Sequence, residues 1–291
     1  MGEVKTESDL DGWIGRTCVG HGLVTQEICQ RLRATIDPVL LPEEIVPLGM
    51  HWCIALDSIA NHGLGPDGHP AKGGFLPPVP LPSRMWASGE IEFRDPLQVG
   101  DAVERHSTVS DIKFKDGRSG PLCFVTVDHS WLTQRGPAIL EKQHIVYRDA
   151  VAAPAQARPA PISGTGQASN MPVGSVCIVP DAAMLFRYSA MTFNAHRIHY
   201  DRDYAVEEEH YPERVVHGPL QATLLMNRMV DLHGPISDFS FRAMRPAFAY
   251  APLVLDSTKA EDGFSLRTIG PDGGICMEAT AHTAAMPSVM I

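Results

Sequence analysis

The stretch from Pro219 to Gly234, PLQATLLMNRMVDLHG, most constrains what this chain can become. Pro in its first turn and Gly past its end mark it as a helix. Between Leu220 and Val230 it carries one charge, Arg228. A helix that is apolar nearly all round cannot lie on a surface and has to be wrapped. The segments that follow supply the wrapping. ISDFSFRAM, AYAPLVLDSTKAED, FSLRTIGPD and GGICMEATAHTA are rich in β-branched and aromatic residues in partial alternation, with turn residues between them.

The first half has the same order of elements. Gly12 to Gly22 reads as a short lead-in, and Thr25 caps a helix with Ile28, Leu32 and Ile36 at four-residue spacing. PLGMHWCIALD is apolar and aromatic enough to be buried. A run of Gly and Pro from His62 to Pro82 must be a loop, longer than an ordinary connection. Four strand-like segments then run from Ser83 to Ala150. In the second half Asp181 caps a helix, DAAMLFRYSAMT, ahead of the polar run and the helix at Pro219. Phe93 and Phe241, each at a strand start, are 148 residues apart, and the helix starts Thr25 and Pro180 are 155 apart. Similar offsets with the same order suggest duplication. Residues 151–172, rich in Ala, Pro, Gly and Ser, read as a linker. The expected fold is α+β: two tandem units, 1–150 and 173–291, each a long helix wrapped by an antiparallel sheet.

Composition narrows the function classes. A net charge of −10 argues against general binding of nucleic acid, which needs a basic face. The six Cys form no CxxC pair, so a zinc ribbon is not expected. No segment approaches the roughly 20 apolar residues of a membrane span. The acidic, polar N-terminus lacks the form of a secretory signal, so a cytoplasmic protein with no membrane partner is expected.

The chemistry concentrates between Phe186 and Gly218. Asn194, His196 and His199 sit close together in a polar segment between two helices, and His217-Gly218 opens the next helix. Two imidazoles and an amide can bind a metal, hold a water or simply hydrogen-bond. The three-residue spacing of the two His does not fit the i, i+4 pattern of a helical metal site, so no metal is expected. A helix N-terminus offers free N–H groups and a positive dipole end. Gly218 allows close approach to that backbone, making its N–H a candidate donor to a carbonyl oxygen that gains charge. Equally, His217-Gly218-Pro219 can be a plain helix cap.

Asn194-Ala195-His196-Arg197-Ile198-His199, followed nineteen residues later by Gly218, resembles the signature of MaoC-like (R)-specific hydratases. PLPSRMWASGEIEF, the Gly/Pro loop before it and FRYSAMTFNAHRIHYD are similar to a subgroup, the double-hotdog hydratases and dehydratases. That subgroup includes mesaconyl-C4-CoA hydratases and mitochondrial-type 3-hydroxyacyl-thioester dehydratases. The resemblance implies a double hotdog fold and addition of water to an enoyl thioester, or its loss from a 3-hydroxyacyl thioester. It places the catalytic His at His199 and the oxyanion-hole N–H at Gly218, with Asn194 as the other catalytic group and His196 a helper. The wider family has Asp where this chain has Asn194. An amide can orient water but has no useful basicity, so proton transfer falls on His199.

The first half has no copy of the His run, which implies one active site per chain, with the first unit shaping the acyl pocket. The partner implied is an acyl-CoA thioester. No cofactor is expected, since coenzyme A belongs to the substrate. Arg187, Arg197, Arg202 and His217 are candidate substrate contacts, although each Arg can also be a plain surface or structural residue. A short branched or dicarboxylic enoyl-CoA, such as mesaconyl-C4-CoA or itaconyl-CoA, is the first expectation. A fatty 3-hydroxyacyl thioester, a hotdog thioesterase and a non-catalytic acyl-CoA binder are the alternatives. A homodimer is compatible with the resemblance, and so is a monomer.

Overall fold

The computed structural model describes residues 10–39, 41–117, 120–149 and 175–284. The expected linker, 151–172, lies outside them. Ten strands form one antiparallel sheet. The first half contributes β1 (Thr17–Leu23), β2 (Ser83–Phe93), β3 (Ala102–Gly117), β4 (Gly120–Thr133) and β5 (Gly136–Arg148). The second contributes β6 (Val176–Ile178), β7 (Ile236–Ala243), β8 (Leu253–Ala260), β9 (Gly263–Ile269) and β10 (Ile275–Thr283). Their order across the sheet is β1-β3-β4-β5-β2-β7-β10-β9-β8-β6. The two halves mirror one another about the seam where β2 meets β7, from Ser88↔Arg242 to Glu92↔Asp238. The sheet is thus two five-stranded hotdog sheets joined edge to edge, and neither unit keeps an open edge at the seam.

Among the described residues there are three α-helices, α1 (Gln26–Ile36), α2 (Ala182–Met191) and α3 (Gly218–His233); α3 lies on the sheet, and α1 and α2 pack against each other. Both expected N-caps form. The Thr25 hydroxyl accepts from Ile28 N–H, and the Asp181 carboxylate accepts from Met184 N–H. Gly234 ends α3 with φ of 85°. Ten residues of α3 are buried, among them Leu220, Leu224, Leu225, Met226 and Met229. Three of its buried polar side chains are hydrogen-bonded, as burial demands. Gln221 Oε1 accepts from Thr268 Oγ1 at 2.7 Å, Thr223 Oγ1 meets Tyr188 Oη at 3.1 Å, and Asn227 Oδ1 accepts from Leu48 N–H at 3.0 Å.

That last bond shows how the first unit differs. Where the second unit has its long helix, the first has only the short 3₁₀ turn Met50–Cys53. The expectation of a long wrapped helix in each unit therefore holds for the second alone, among the described residues. The apolar run MHWCIA is too short for a long helix before the Gly/Pro tract begins. It is buried as expected, and with it the turn fills the space next to α3. Gly49, at φ of 87°, packs so tightly there that a Cβ would come within 2.6 Å of Thr223 Oγ1. One core joins both units, with Leu32, Trp52, Ile91, Leu185, Leu224 and Phe241 in a single cluster. The Gly/Pro tract is packed as well. Val79 and Leu81 sit in a second cluster with Val125 and Tyr147, and Phe75 and Leu76 lie against it.

Candidate active site

Local backbone chemistry brings the expected residues together. Helix α2 stops at Thr192, and Phe193 takes the left-handed conformation with φ of 50°. Asn194 N–H then returns to the Ser189 carbonyl at 2.9 Å, the six-to-one bond that closes a helix end. Asn194 Oδ1 accepts from His196 N–H at 2.9 Å, so the amide shapes the turn that presents the histidines. The next turn, Arg197–His199, is 3₁₀, and Val215 N–H reaches back to the Ile198 carbonyl at 2.9 Å.

The same pairing fixes the state of His199. Its Nδ1 lies 2.8 Å from the Val215 carbonyl, which can only accept, so Nδ1 carries the proton. Nε2 is left with its lone pair. Burial pushes the imidazole down to about 4; the Val215 carbonyl works the other way, and the charge on His69 lowers it further. His199 is therefore neutral at pH 7 and able to accept a proton. Its ring stacks on that of His217, with centroids 3.7 Å apart. His217 is fully buried and caps α3, and its Nε2 is 2.8 Å from Ser189 Oγ. Among the described residues its Nδ1 has no hydrogen-bond partner. An orphaned polar atom beside the site suits a water or a substrate group.

Gly218 is the first residue of α3. A Cβ placed on it would find only the Trp86 carbonyl within 4 Å, at 3.8 Å. Among the described residues the side of the helix start that a Gly218 Cβ would occupy is therefore open. The ring of Trp86 packs with those of Trp52 and Phe241, the three ring centroids 5.1 to 6.3 Å apart.

His196 stands edge-on to His199 at 5.3 Å. Burial and the charges on His69 and His199 hold it down at about 2. On its other side lies a residue the sequence reading missed. His69, from the Gly/Pro tract, packs against His196 with centroids 3.9 Å apart. Asp67 Oδ2 meets His69 Nδ1 at 2.9 Å. The tract is clamped to the histidine run. Arg197 N–H donates to the Asp67 carbonyl at 2.9 Å, and Arg197 Nη1 to the Pro66 carbonyl at 3.1 Å. Gly68, between them, has φ of 86°, and a Cβ there would lie 1.8 Å from the Ala195 carbonyl oxygen. Only glycine fits. The signal available in the sequence was the tract's Gly-Pro-Asp-Gly-His segment, but nothing local says which element it meets.

Asp67, His69 and His196 have donor atoms within 4.8 Å of one another. The Asp67 hydrogen bond puts a proton on His69 Nδ1 and makes these two residues a hydrogen-bonded pair. The three candidate arginines are spread around the site. Arg197 pairs with Asp201 at 2.8 Å and lies over the Tyr204 ring. Arg202 pairs with Glu213 at 2.8 Å. Arg187 reaches the Ala34 carbonyl at 3.4 Å from the exposed side of α2.

A tandem sheet wrapped on one long helix, with a buried neutral histidine beside that helix's N-terminus, defines a double-hotdog protein. Comparison with known proteins agrees. The chain belongs to the hydroxyacyl-thioester dehydratase type 2 family, whose model matches residues 49–249, and the family is one of hydro-lyases. It is similar to mesaconyl-C(4)-CoA hydratase of Chloroflexus aurantiacus, with 40% identity across 95% of this chain and 99% of that one. Among solved structures, a MaoC-like dehydratase superposes with a TM-score of 0.69 at 13% identity, covering 95% of this chain and all of the other. A Mycobacterium tuberculosis protein with a double hotdog fold superposes at 0.54 and 12%, covering 92% of this chain and 95% of the other. Among the described residues no helix is long and apolar enough to cross a membrane.

Proposed function

We propose that the protein catalyses reversible hydration of a short branched or dicarboxylic enoyl-CoA, such as mesaconyl-C4-CoA or itaconyl-CoA. The observation that carries this reading is the unprotonated Nε2 of buried His199 beside the open start of α3. In the hydration direction a water held near His199 and Asn194 gives a proton to Nε2 while its oxygen bonds to the β-carbon. The C=C electron pair moves to the α-carbon and into the thioester, whose oxygen becomes enolate-like. The Gly218 N–H donates to that oxygen. His199 then returns the proton to the α-carbon, which restores the neutral imidazole. Dehydration is the same path reversed.

The similarity to a mesaconyl-C(4)-CoA hydratase supports a short acyl group. The phosphates of coenzyme A would be met by Arg187, Arg197 or Arg202, and His217 Nδ1 by the substrate or its water. No cofactor enters this scheme. The reading places the enzyme in the cytoplasm, as a monomer or homodimer.

The family description favours a second reading, dehydration of a fatty 3-hydroxyacyl thioester. A thioesterase would need a carboxylate at the helix start, where this chain has His217, Gly218 and Pro219. Incubation with mesaconyl-C4-CoA, itaconyl-CoA and crotonyl-CoA, following loss of enoyl absorbance, tests the proposal. Turnover of the first two supports it. Turnover of none removes the hydratase reading, and release of free thiol would turn it toward a thioesterase.

A further inference from the structure

Four imidazoles meet at the site in sequence of contact: His69 to His196 at 3.9 Å, His196 to His199 at 5.3 Å and His199 to His217 at 3.7 Å. All four are held below the ordinary histidine range, chiefly by burial. Such a cluster suits a base at rest, but it disfavours the imidazolium that forms once His199 has taken a proton. A charge-bearing partner is needed, and position 194 holds an amide. Among the described residues, the carboxylate hydrogen-bonded to this cluster is Asp67, which contacts both His69 Nδ1 at 2.9 Å and His69 N–H at 3.1 Å. Its side chain and that of His69 are about three-quarters buried, with exposures of 24% and 23%. The Gly68 contact and the Arg197 bonds hold this pair against the catalytic run.

We propose that Asp67, held by His69, supplies the negative charge that stabilises the imidazolium formed at His199 during turnover. Both are positioning residues lent by the first unit to the site of the second, and the role rests on the hydratase reading. Asp67 is bonded to His69, while the Val215 carbonyl fixes the tautomer of His199, so the carboxylate acts on the His199 cation through space without itself becoming protonated. Other charges face the pair. Arg84 on β2 and Lys72 in the tract oppose a proton there, and Glu209 and the phenol of Tyr204 lie on the favourable side. Burial opposes ionisation of Asp67, but the His69 bonds and the His69 and Arg84 charges hold it down at about 2, so it stays ionised.

Asp67→Asn removes the charge at constant shape. The clamp to Arg197 uses the Asp67 backbone carbonyl and survives the change. We expect kcat to fall about 10- to 100-fold with KM within about twofold, and the acid limb of the pH–rate profile to move to lower pH. His69→Gln, which breaks the link instead, should lower kcat similarly but move the limb to higher pH, because the His69 charge that lowers His199 is gone. In histidine-labelled protein without substrate, NMR should show the His69 ring titrating lower in Asp67→Asn by about one pH unit. Wild-type kcat and an unmoved limb in either variant would overturn the proposal. So would a lowered Tm with an unmoved limb, which would make the pair a loop staple. If wild-type protein turns over none of the enoyl esters, the hydratase reading fails alone. The His69 titration still decides the pair, because an unshifted ring in Asp67→Asn means Asp67 exerts no charge on the cluster.

Discussion

The imidazoles of His199 and His217 lie face to face, their planes 21° from parallel and their centroids 3.7 Å apart. One is aimed by the Val215 carbonyl and the other by Ser189, so neither can turn without losing its only hydrogen bond to the protein among the described residues. His199→Ala should abolish turnover and leave the fold intact. The cost in stability should be about 1–3 kcal/mol, since one buried ring is lost while the Val215 carbonyl is left unpaired. Retained activity in a folded variant would refute the assignment of the base.

Gly218→Ala separates packing from chemistry. The added methyl meets nothing nearer than the Trp86 carbonyl at 3.8 Å, so Tm should stay within a few degrees of wild type. If a thioester oxygen docks against this helix start, the methyl stands in its way, and kcat/KM should fall on the order of 100-fold. Steady-state kinetics on the first enoyl-CoA that turns over will read it; an unchanged kcat/KM would move the oxyanion donor elsewhere.

At Gly68 the opposite holds. A Cβ 1.8 Å from the Ala195 carbonyl cannot be accommodated, and φ of 86° is itself unfavourable for alanine by about 1–2 kcal/mol. Gly68→Ala should push the tract off the catalytic run, lowering both kcat and Tm. Faster proteolysis between His62 and Pro82 would report the displacement directly, and wild-type protection there would contradict it.

Acid should destabilise the protein before carboxylates titrate in bulk. Burial holds His51, His129, His196 and His199 at about 3, 4, 2 and 4. Unfolded, each titrates near 6.5. As pH falls from about 6.5 toward 4, the unfolded chain takes up protons that the folded chain refuses, so stability drops by about 1.4 kcal/mol per pH unit for each imidazole. Glu141 acts in the other direction. Burial lifts it to about 7, against the indole N–H groups of Trp52 and Trp131 that hold it down, so it favours the fold below that value. One group opposing four leaves the net sign unchanged. The urea midpoint should therefore fall steadily from pH 7 to 5; a flat or rising midpoint would show that these histidines are not buried neutral in solution.

Much of this architecture was legible in sequence because it is local. Thr25, Asp181 and Gly234 announce helix ends through chemistry within four residues. The strands β2 to β5 and β7 to β10 announce themselves by alternation. The short edge strands β1 and β6 did not, since TCVGHGL is interrupted by glycine and VCI is three residues long. The site divides the same way. Asn194, His196, His199 and Gly218 lie within 25 residues and share one neighbourhood. His69 is more than 120 residues away, in a tract whose composition says only that it is irregular, and its meeting with His196 exists only in the folded chain. The lost long helix of the first unit was also invisible, because MHWCIA is as apolar as a helix segment and differs only in being too short.

The contact between Gly68 and Ala195 has a consequence for how such a chain can change over time. Once one copy of a duplicated unit reaches into the other, the copies stop being independent inheritances. A side chain at position 68 would meet a backbone carbonyl that every residue at 195 carries, so the position is held to glycine whatever the other half places there. The first unit, free of the His run, has kept its history tied to the second through a bare backbone carbon.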